Sequence, residues 1–182
     1  MHTAPLLRVV VEVRGAPFLA LVTPEDGVVR ASGFATPDDP VATQLASRLA
    51  SLDPTLGARG VAREATHTGD VATALRAYAG GNLTALDSLP VSQPSTPFRR
   101  EVWRALREVP AGRVVSYTEL AARAGRPAAV RAAASACAAN LLALIVPCHR
   151  VVRSDGTLGG YLFGTELKQQ LLEHEGADYT RR

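Results

Sequence analysis

Apolar positions alternate with polar ones in the first third of the chain and recur at helical spacing further on. Leu6 to Val13, Phe18 to Thr23 and Val28 to Phe34 are short Val- and Phe-rich runs, which predict strands. Pro24-Glu25-Asp26-Gly27 separates the last two and reads as a hairpin turn. Val41 to Leu52, after Asp39-Pro40, sets Leu45 and Leu49 on one helical face. Val71 to Ala79 predicts a second helix, with Asp70 as its N-cap and Gly80-Gly81 as its stop. These elements predict a small α/β unit. Leu89 to Pro97 holds three prolines in nine residues and marks a linker, which divides the chain into residues 1–92 and 93–182.

Beyond the linker, Thr96 is expected to cap a helix that has Pro97 in its first position and Phe98, Val102, Leu106 and Val109 along one side. Pro110-Ala111-Gly112 ends it, and a short strand Val114-Val115-Ser116 leads to Tyr117. Thr118 to Ala124 and Ala128 to Ala139 are two short helices joined by Gly125-Arg126-Pro127, a helix-turn-helix pattern. An apolar run, Leu141 to Val146, then enters Pro147-Cys148-His149-Arg150-Val151-Val152. Ser154-Asp155-Gly156 is a turn and Gly159-Gly160-Tyr161 a glycine loop. Thr165 is expected to cap a last helix that stops before Gly176.

Composition narrows the class. In 182 residues, 47% hydrophobic and 20% charged side chains exclude a disordered or fibrous chain. No apolar run approaches the ~20 residues of a membrane span, and Met1 to Pro5 lacks the basic stretch and apolar core of a secretory signal. Two cysteines, Cys137 and Cys148, exclude a disulfide scaffold and a four-cysteine zinc site. The expectation is a cytoplasmic protein, without membrane attachment, acting as a monomer. Charge is uneven: residues 1–92 carry 7 Arg against 9 acidic groups, residues 93–182 carry 13 basic against 8 acidic. Any polyanion should therefore meet the second half, although on charge alone a solvated surface explains the excess equally well. All but one of the 20 basic residues are Arg, which singles out Lys168.

The second helix of the pair argues against a transcription factor. A major-groove reader needs Asn, Gln or Arg against base edges. Here Val130, Ala133, Ala134 and Cys137 share one face, and Arg131, Ser135 and Ala138 share another. The outward face offers smallness and one long cation. That suits sequence-independent minor-groove binding with a displaced base, though on this helix alone an Ala-rich packing helix with a surface Arg is the better reading.

Cys148 lies in apolar surroundings, where most cysteines are inert. A neighbouring base or cation, here His149 or Arg150, would favour the thiolate. In a strand, adjacent side chains point to opposite faces, so His149 can serve Cys148 only if the backbone bends or a water relays the proton. Glu173 and Glu175 are candidates to orient the imidazole.

From about Phe98 to Gly176 the chain resembles the 6-O-methylguanine-DNA methyltransferases. The resemblance is carried by Phe98-x-x-x-Val102-Trp103, Val109-Pro110-x-Gly112, Ser116-Tyr117-x-x-Leu120-Ala121, Gly125-x-Pro127-x-Ala129-x-Arg131-Ala132, Asn140, Pro147-Cys148-His149-Arg150-Val151-Val152, Gly156-x-Leu158-x-Gly160-Tyr161 and Lys168-x-x-Leu171-Leu172-x-x-Glu175. It implies a ribonuclease-H-like α/β domain over residues 1–92 and a mostly α, winged-helix-like domain with a helix-turn-helix over 93–182. It also implies a function: stoichiometric transfer of a methyl or larger alkyl group from the exocyclic oxygen of guanine in duplex DNA. By the same resemblance Cys148 is the acceptor, His149 removes its proton through a water, Glu175 orients His149, and Asn140 hydrogen-bonds near the thiol. Tyr117 contacts the flipped nucleotide and protonates the departing guanine. Arg131 fills the gap in the base stack, beside Ala129 and Ser135, and Tyr161, Val151, Gly160 and Phe163 line the base pocket. No metal or cofactor is implied: relatives with an N-terminal zinc use Cys and His, and residues 1–92 contain no Cys. Phe163 and Leu141 stand where many bacterial relatives have Trp and Pro, which should alter the pocket and not the reaction. The alternatives are a sensor that binds alkylguanine without reacting and, less in keeping with the adjacent Cys148 and His149, a cysteine hydrolase.

Overall fold

A computed structural model describes residues 4–35 and 41–179. The Asp39-Pro40 entry to the first helix therefore lies outside the described residues. The described residues pack into two compact units, one within residues 4–94 together with 141–145, the other within 95–140 together with 146–179.

The first unit is built on four strands, β1 (Leu6–Val13), β2 (Ala16–Val22), β3 (Val29–Phe34) and β4 (Val61–Thr66), ordered β3-β2-β1-β4. β1, β2 and β3 pair antiparallel, as their hairpin turns require, whereas β4 runs parallel to β1. β4 was not foreseen: Val61-Ala-Arg-Glu-Ala-Thr has no apolar run, and only β1 makes it a strand. Helix α1 (Val41–Leu52) covers this sheet, with Leu45 and Leu49 packed on Leu6, Leu19, Leu21 and Ala31. A short helix α2 (Pro54–Gly57), also unforeseen, follows it, capped by the Asp53 side chain on the Leu56 amide. In α3 (Asp70–Ala79) the N-cap is Gly69, and Asp70 is the first helical residue, where its charge favours the helix dipole without capping.

The apolar run before Pro147 belongs to this unit. Ser32 of β3 donates its amide to the Leu141 carbonyl at 2.7 Å and receives the Ala143 amide at 3.2 Å, while its hydroxyl donates to the Ala143 carbonyl at 2.9 Å. Leu144 takes a φ of 69°, a left-handed conformation rarely open to a branched side chain, just before the chain re-enters the second unit.

The second unit starts with α4 (Pro97–Arg107), whose Val102, Trp103, Ala105 and Leu106 are buried. Thr96 sits at its N-cap without a side-chain capping bond, and Pro97 lacks the amide that would need one of the first partners. β5 (Val115–Ser116) leads into α5 (Tyr117–Arg123), one residue earlier than its apolar pattern suggests. The reason is a capping box: Ser116 Oγ accepts the Glu119 amide at 3.1 Å, and Glu119 Oε2 accepts the Ser116 amide at 2.6 Å. α6 (Val130–Ala138) follows, then β6 (Val151–Val152), parallel to β5, and α7 (Thr165–His174). For α7 the N-cap is Gly164, not Thr165.

α6 is held to α4 by Trp103 Nε1, which donates to the Ala136 carbonyl at 2.9 Å. Its buried residues are Ala133 and Ala136, with Val130, Ala134 and Cys137 partly exposed. The inward face is thus rotated toward Ala136 relative to the pattern read from spacing. Arg131, Ser135 and Ala138 are exposed as expected. No helix among the described residues is long and apolar enough to cross a membrane.

Candidate active site

Cys148 does not lie in a strand. Cys148, His149 and Arg150 form a single 3-10 turn between Pro147 and β6. This removes the opposite-face objection, because side chains on such a turn are separated by about a third of a revolution. Cys148 keeps partial exposure, while His149 and Arg150 are buried.

Asn140, which ends the α6 segment, reaches across to this turn. Its Nδ2 donates to the Val146 carbonyl at 2.9 Å and lies 3.4 Å from Cys148 Sγ. Below the turn, Glu175 closes the last helix. Its Oε1 is 2.9 Å from His149 Nε2, and Arg150 grips both its oxygens, Nε to Oε2 and Nη2 to Oε1, each at 2.9 Å. Arg150 Nη1 donates to the Val109 carbonyl at 2.5 Å. His149 Nδ1 is buried and has no partner among the described residues.

Burial pushes the Cys148 thiol up, against the Asn140 hydrogen bond and the Lys168 charge, which favour the thiolate. Burial also lowers His149 below its ordinary value; Glu175 opposes this, and the Arg150 and Lys168 charges add to it. For Glu175 burial works toward protonation, but the hydrogen bonds and charges of His149 and Arg150 outweigh it and hold the carboxyl well below the usual range. At neutral pH the site therefore rests as thiol, neutral imidazole and carboxylate. Such a set can remove a proton from sulfur at the moment of reaction.

Tyr117 meets the glycine loop. Position 159 favours glycine through its φ of +68°, and the loop lies close to Tyr117, where a Cβ would make ordinary contact with the ring and hydroxyl at 3.6 Å. Burial raises Tyr117, with the two thiols contributing in the same direction, so its phenol stays a proton donor. Lys168 Nζ donates to the Val151 carbonyl at 2.6 Å and to the Leu158 carbonyl, which ties the glycine loop to β6. Burial lowers this ammonium to about 8.

Comparison with known proteins decides the family. A model described as 6-O-methylguanine DNA methyltransferase, DNA binding domain, matches residues 97–177. The methylated-DNA–protein-cysteine methyltransferase of Salmonella typhimurium is 48% identical over 112 residues, 62% of this chain and 66% of its own length. A probable methylated-DNA–protein-cysteine methyltransferase of Acanthamoeba polyphaga mimivirus is 44% identical over 101 residues, 56% of this chain and 67% of its own. The structure of Mycobacterium tuberculosis OGT in complex with DNA superposes with a TM-score of 0.69 at 25% identity, covering 96% of this chain and 97% of that one. The chain belongs to the 6-O-methylguanine-DNA methyltransferase family.

Membership accounts for a mixed α/β fold and for a matched stretch that holds the site described above. The structure brings Cys148, His149, Glu175 and Asn140 together and sets Tyr117 against the loop that carries Gly160 and Tyr161. Tyr161 and Phe163 are partly exposed and meet edge to face with ring centroids 5.6 Å apart. Gly160 is exposed, and Val151 is buried, with its carbonyl accepting from Lys168. Ala129 is the N-cap of α6, partly exposed beside Arg131.

The expectation that Arg150 could favour the thiolate fails. Arg150 does not serve the thiol, because its guanidinium is engaged with Glu175 and Val109; Lys168 is the cation that acts on Cys148. Its status as the chain's only lysine was the available signal, while nothing local to Arg150 betrayed its partner 25 residues away. Glu173, the other candidate to orient the imidazole, is exposed and accepts from Gln169. Among the described residues no group of three or more His, Cys, Asp or Glu could hold a metal ion.

Proposed function

We propose that this protein repairs DNA by moving a methyl or other alkyl group from the exocyclic oxygen of guanine in duplex DNA onto Cys148 Sγ, once per molecule. The observation that carries the proposal is the buried His149–Glu175 pair beneath a partly exposed cysteine on the same turn. Such a pair is a proton acceptor for a thiol held in its neutral form. Family membership supports the reading, as does the DNA-bound state of the M. tuberculosis relative.

The chemistry assigns each group a task. The electrophilic carbon lies inside the duplex, so the nucleotide must leave the stack at a cost of a few kcal/mol. Small residues on the outward face of α6 permit a close approach to the minor groove, with Ala129 and Ser135 against the backbone and Arg131 in the space left by the base. Tyr161, Gly160, Val151 and Phe163 form the pocket. His149 Nδ1 takes the thiol proton through a water, Asn140 steadies the developing thiolate, the S–C bond forms as the C–O bond breaks, and the Tyr117 hydroxyl supplies a proton to the departing guanine. The thioether product has no carbonyl for water to attack, so sulfur is not regenerated. The proposal extends to architecture and setting. Residues 1–92, with the 141–145 segment that packs in the same unit, act as a ribonuclease-H-like domain, and the rest of 93–182 as a winged-helix-like DNA-binding and alkyl-acceptor domain. The protein works as a monomer in a reducing cytoplasm.

Titration with duplex DNA carrying O6-methylguanine tests this. Repair should stop at one lesion per protein molecule, however much substrate remains; continued turnover contradicts it. Replacing Arg131 by Ala should slow repair of the duplex by roughly tenfold or more, a share of about 1.4 kcal/mol in the extrusion cost. The same variant should react normally with the free alkylated base, and equal losses on both substrates would remove Arg131 from this role.

A further inference from the structure

We propose that Arg150 is a positioning residue for the transfer: by chelating Glu175 it keeps that group a carboxylate, and so keeps His149 a neutral imidazole whose Nδ1 carries the lone pair. The inference deepens the alkyl-transfer reading and rests on it.

A guanidinium has only donors, so two bonds from Arg150 to the two oxygens of Glu175 favour the carboxylate over the neutral acid. That carboxylate, 2.9 Å from His149 Nε2, requires Nε2 to carry the ring proton. A neutral imidazole has one N–H, so Nδ1 is left as the base. The bond from Arg150 Nη1 to the Val109 carbonyl fixes the guanidinium from a third side and holds its plane on Glu175.

Charge points the same way. A carboxylate beside an imidazole ordinarily draws a proton onto the ring. Here Arg150 cancels the charge of Glu175 within a site where His149 and Glu175 are fully buried and Arg150 nearly so. The other charged group acting on the ring is Lys168 of α7, also a cation, and the Cys148 thiol lies on the same turn. Glu175 is the one anion acting on the ring among the described residues, and it is already neutralised. An imidazolium would add a third positive charge to this buried set.

Loss of Arg150 disables the base by either route open to the pair. If Glu175 stays ionised, His149 takes up a proton and cannot accept another. If Glu175 protonates instead, it donates to Nε2, the ring proton moves to Nδ1, and the nitrogen needed by the thiol becomes a donor.

Nitrogen-15 spectra of the intact, histidine-labelled protein test this directly. His149 should be the neutral Nε2–H tautomer, and should remain so below pH 6.5, where an ordinary imidazole becomes charged. An imidazolium or an Nδ1–H tautomer at neutral pH overturns the proposal. In kinetics on a methylated duplex, R150M should lose about a hundredfold or more in transfer rate, the usual worth of a general base, with unchanged affinity for unmodified duplex. R150K keeps the charge and should recover part of the rate together with the neutral ring. A folded R150M with wild-type rate, or an R150K no faster than R150M, contradicts it. Should R150M not fold, the wild-type spectrum decides. Wild-type protein that transfers no alkyl group at all would refute the function proposed above, and the spectrum would still decide the role of Arg150.

Discussion

Cys148→Ser should transfer nothing: repair of methylated duplex should fall by more than roughly a thousandfold, with affinity for DNA unchanged. The residues assigned to the DNA, Ala129, Arg131 and Ser135, lie on a different element from the acceptor turn, and α6 is anchored through Ala136 to Trp103. Serine is nearly isosteric and keeps an acceptor for Asn140, so the turn is undisturbed. It fails because an alkoxide is far harder to generate than a thiolate. Burial already holds the Cys148 thiol above its ordinary value, which leaves little margin for a weaker acid. Gel-shift affinity and single-turnover repair, measured on the same preparation, separate binding from chemistry. Residual repair by the serine variant would mean that the alkyl group goes elsewhere.

Glu175→Leu is the most destabilising single change expected in the second unit. Glu175 accepts from His149 and twice from Arg150 in a buried site. Removing it strands a guanidinium whose remaining bond is to Val109. Breaking one partner of a buried pair costs about 3–5 kcal/mol, which for a chain of this length lowers Tm by about 6–20 °C. Thermal unfolding followed by circular dichroism reads this, and a Tm within a degree or two of wild type would contradict it.

The same network makes the fold acid-sensitive. Both His149 and Glu175 hold protons more weakly when folded than in the unfolded chain, whose ordinary values are 6.5 and 4.5. The unfolded chain therefore binds more protons on acidification. Stability is fully present above pH 6.5, declines as pH falls through the histidine range, and declines further through the carboxylate range. Glu175→Gln should flatten the lower part of that decline.

Much of the site was legible because it is local. Pro147 to Val152 is contiguous, Gly125-Arg126-Pro127 separates two helices where spacing places them, and Arg131 and Ser135 face outward by helical periodicity. What was not legible depends on partners far along the chain. β4 is a strand because it pairs with β1, Leu141 to Ala143 finds its hydrogen bonds on Ser32, and Arg150 finds Glu175. The helix starts were misplaced for a smaller reason. Gly69 and Gly164 take φ of 91° and 93°, which lets the chain turn into the helix without a capping side chain, so Asp70 and Thr165 fall one residue inside. At Ser116 the signal was present in the letters, since Ser-x-x-Glu is a capping box. That box sets Tyr117 at the first turn of its helix, beside the glycine loop.

The most direct measurement is the mass of each cysteine peptide after reaction with a duplex carrying one O6-methylguanine. The peptide holding Cys148 should gain one methylene in proportion to the lesion lost, and the peptide holding Cys137, whose thiol burial pushes far up, should gain none. Loss of the lesion with both peptides unmodified, or a methylene on Cys137 in place of Cys148, would contradict alkyl transfer to this site.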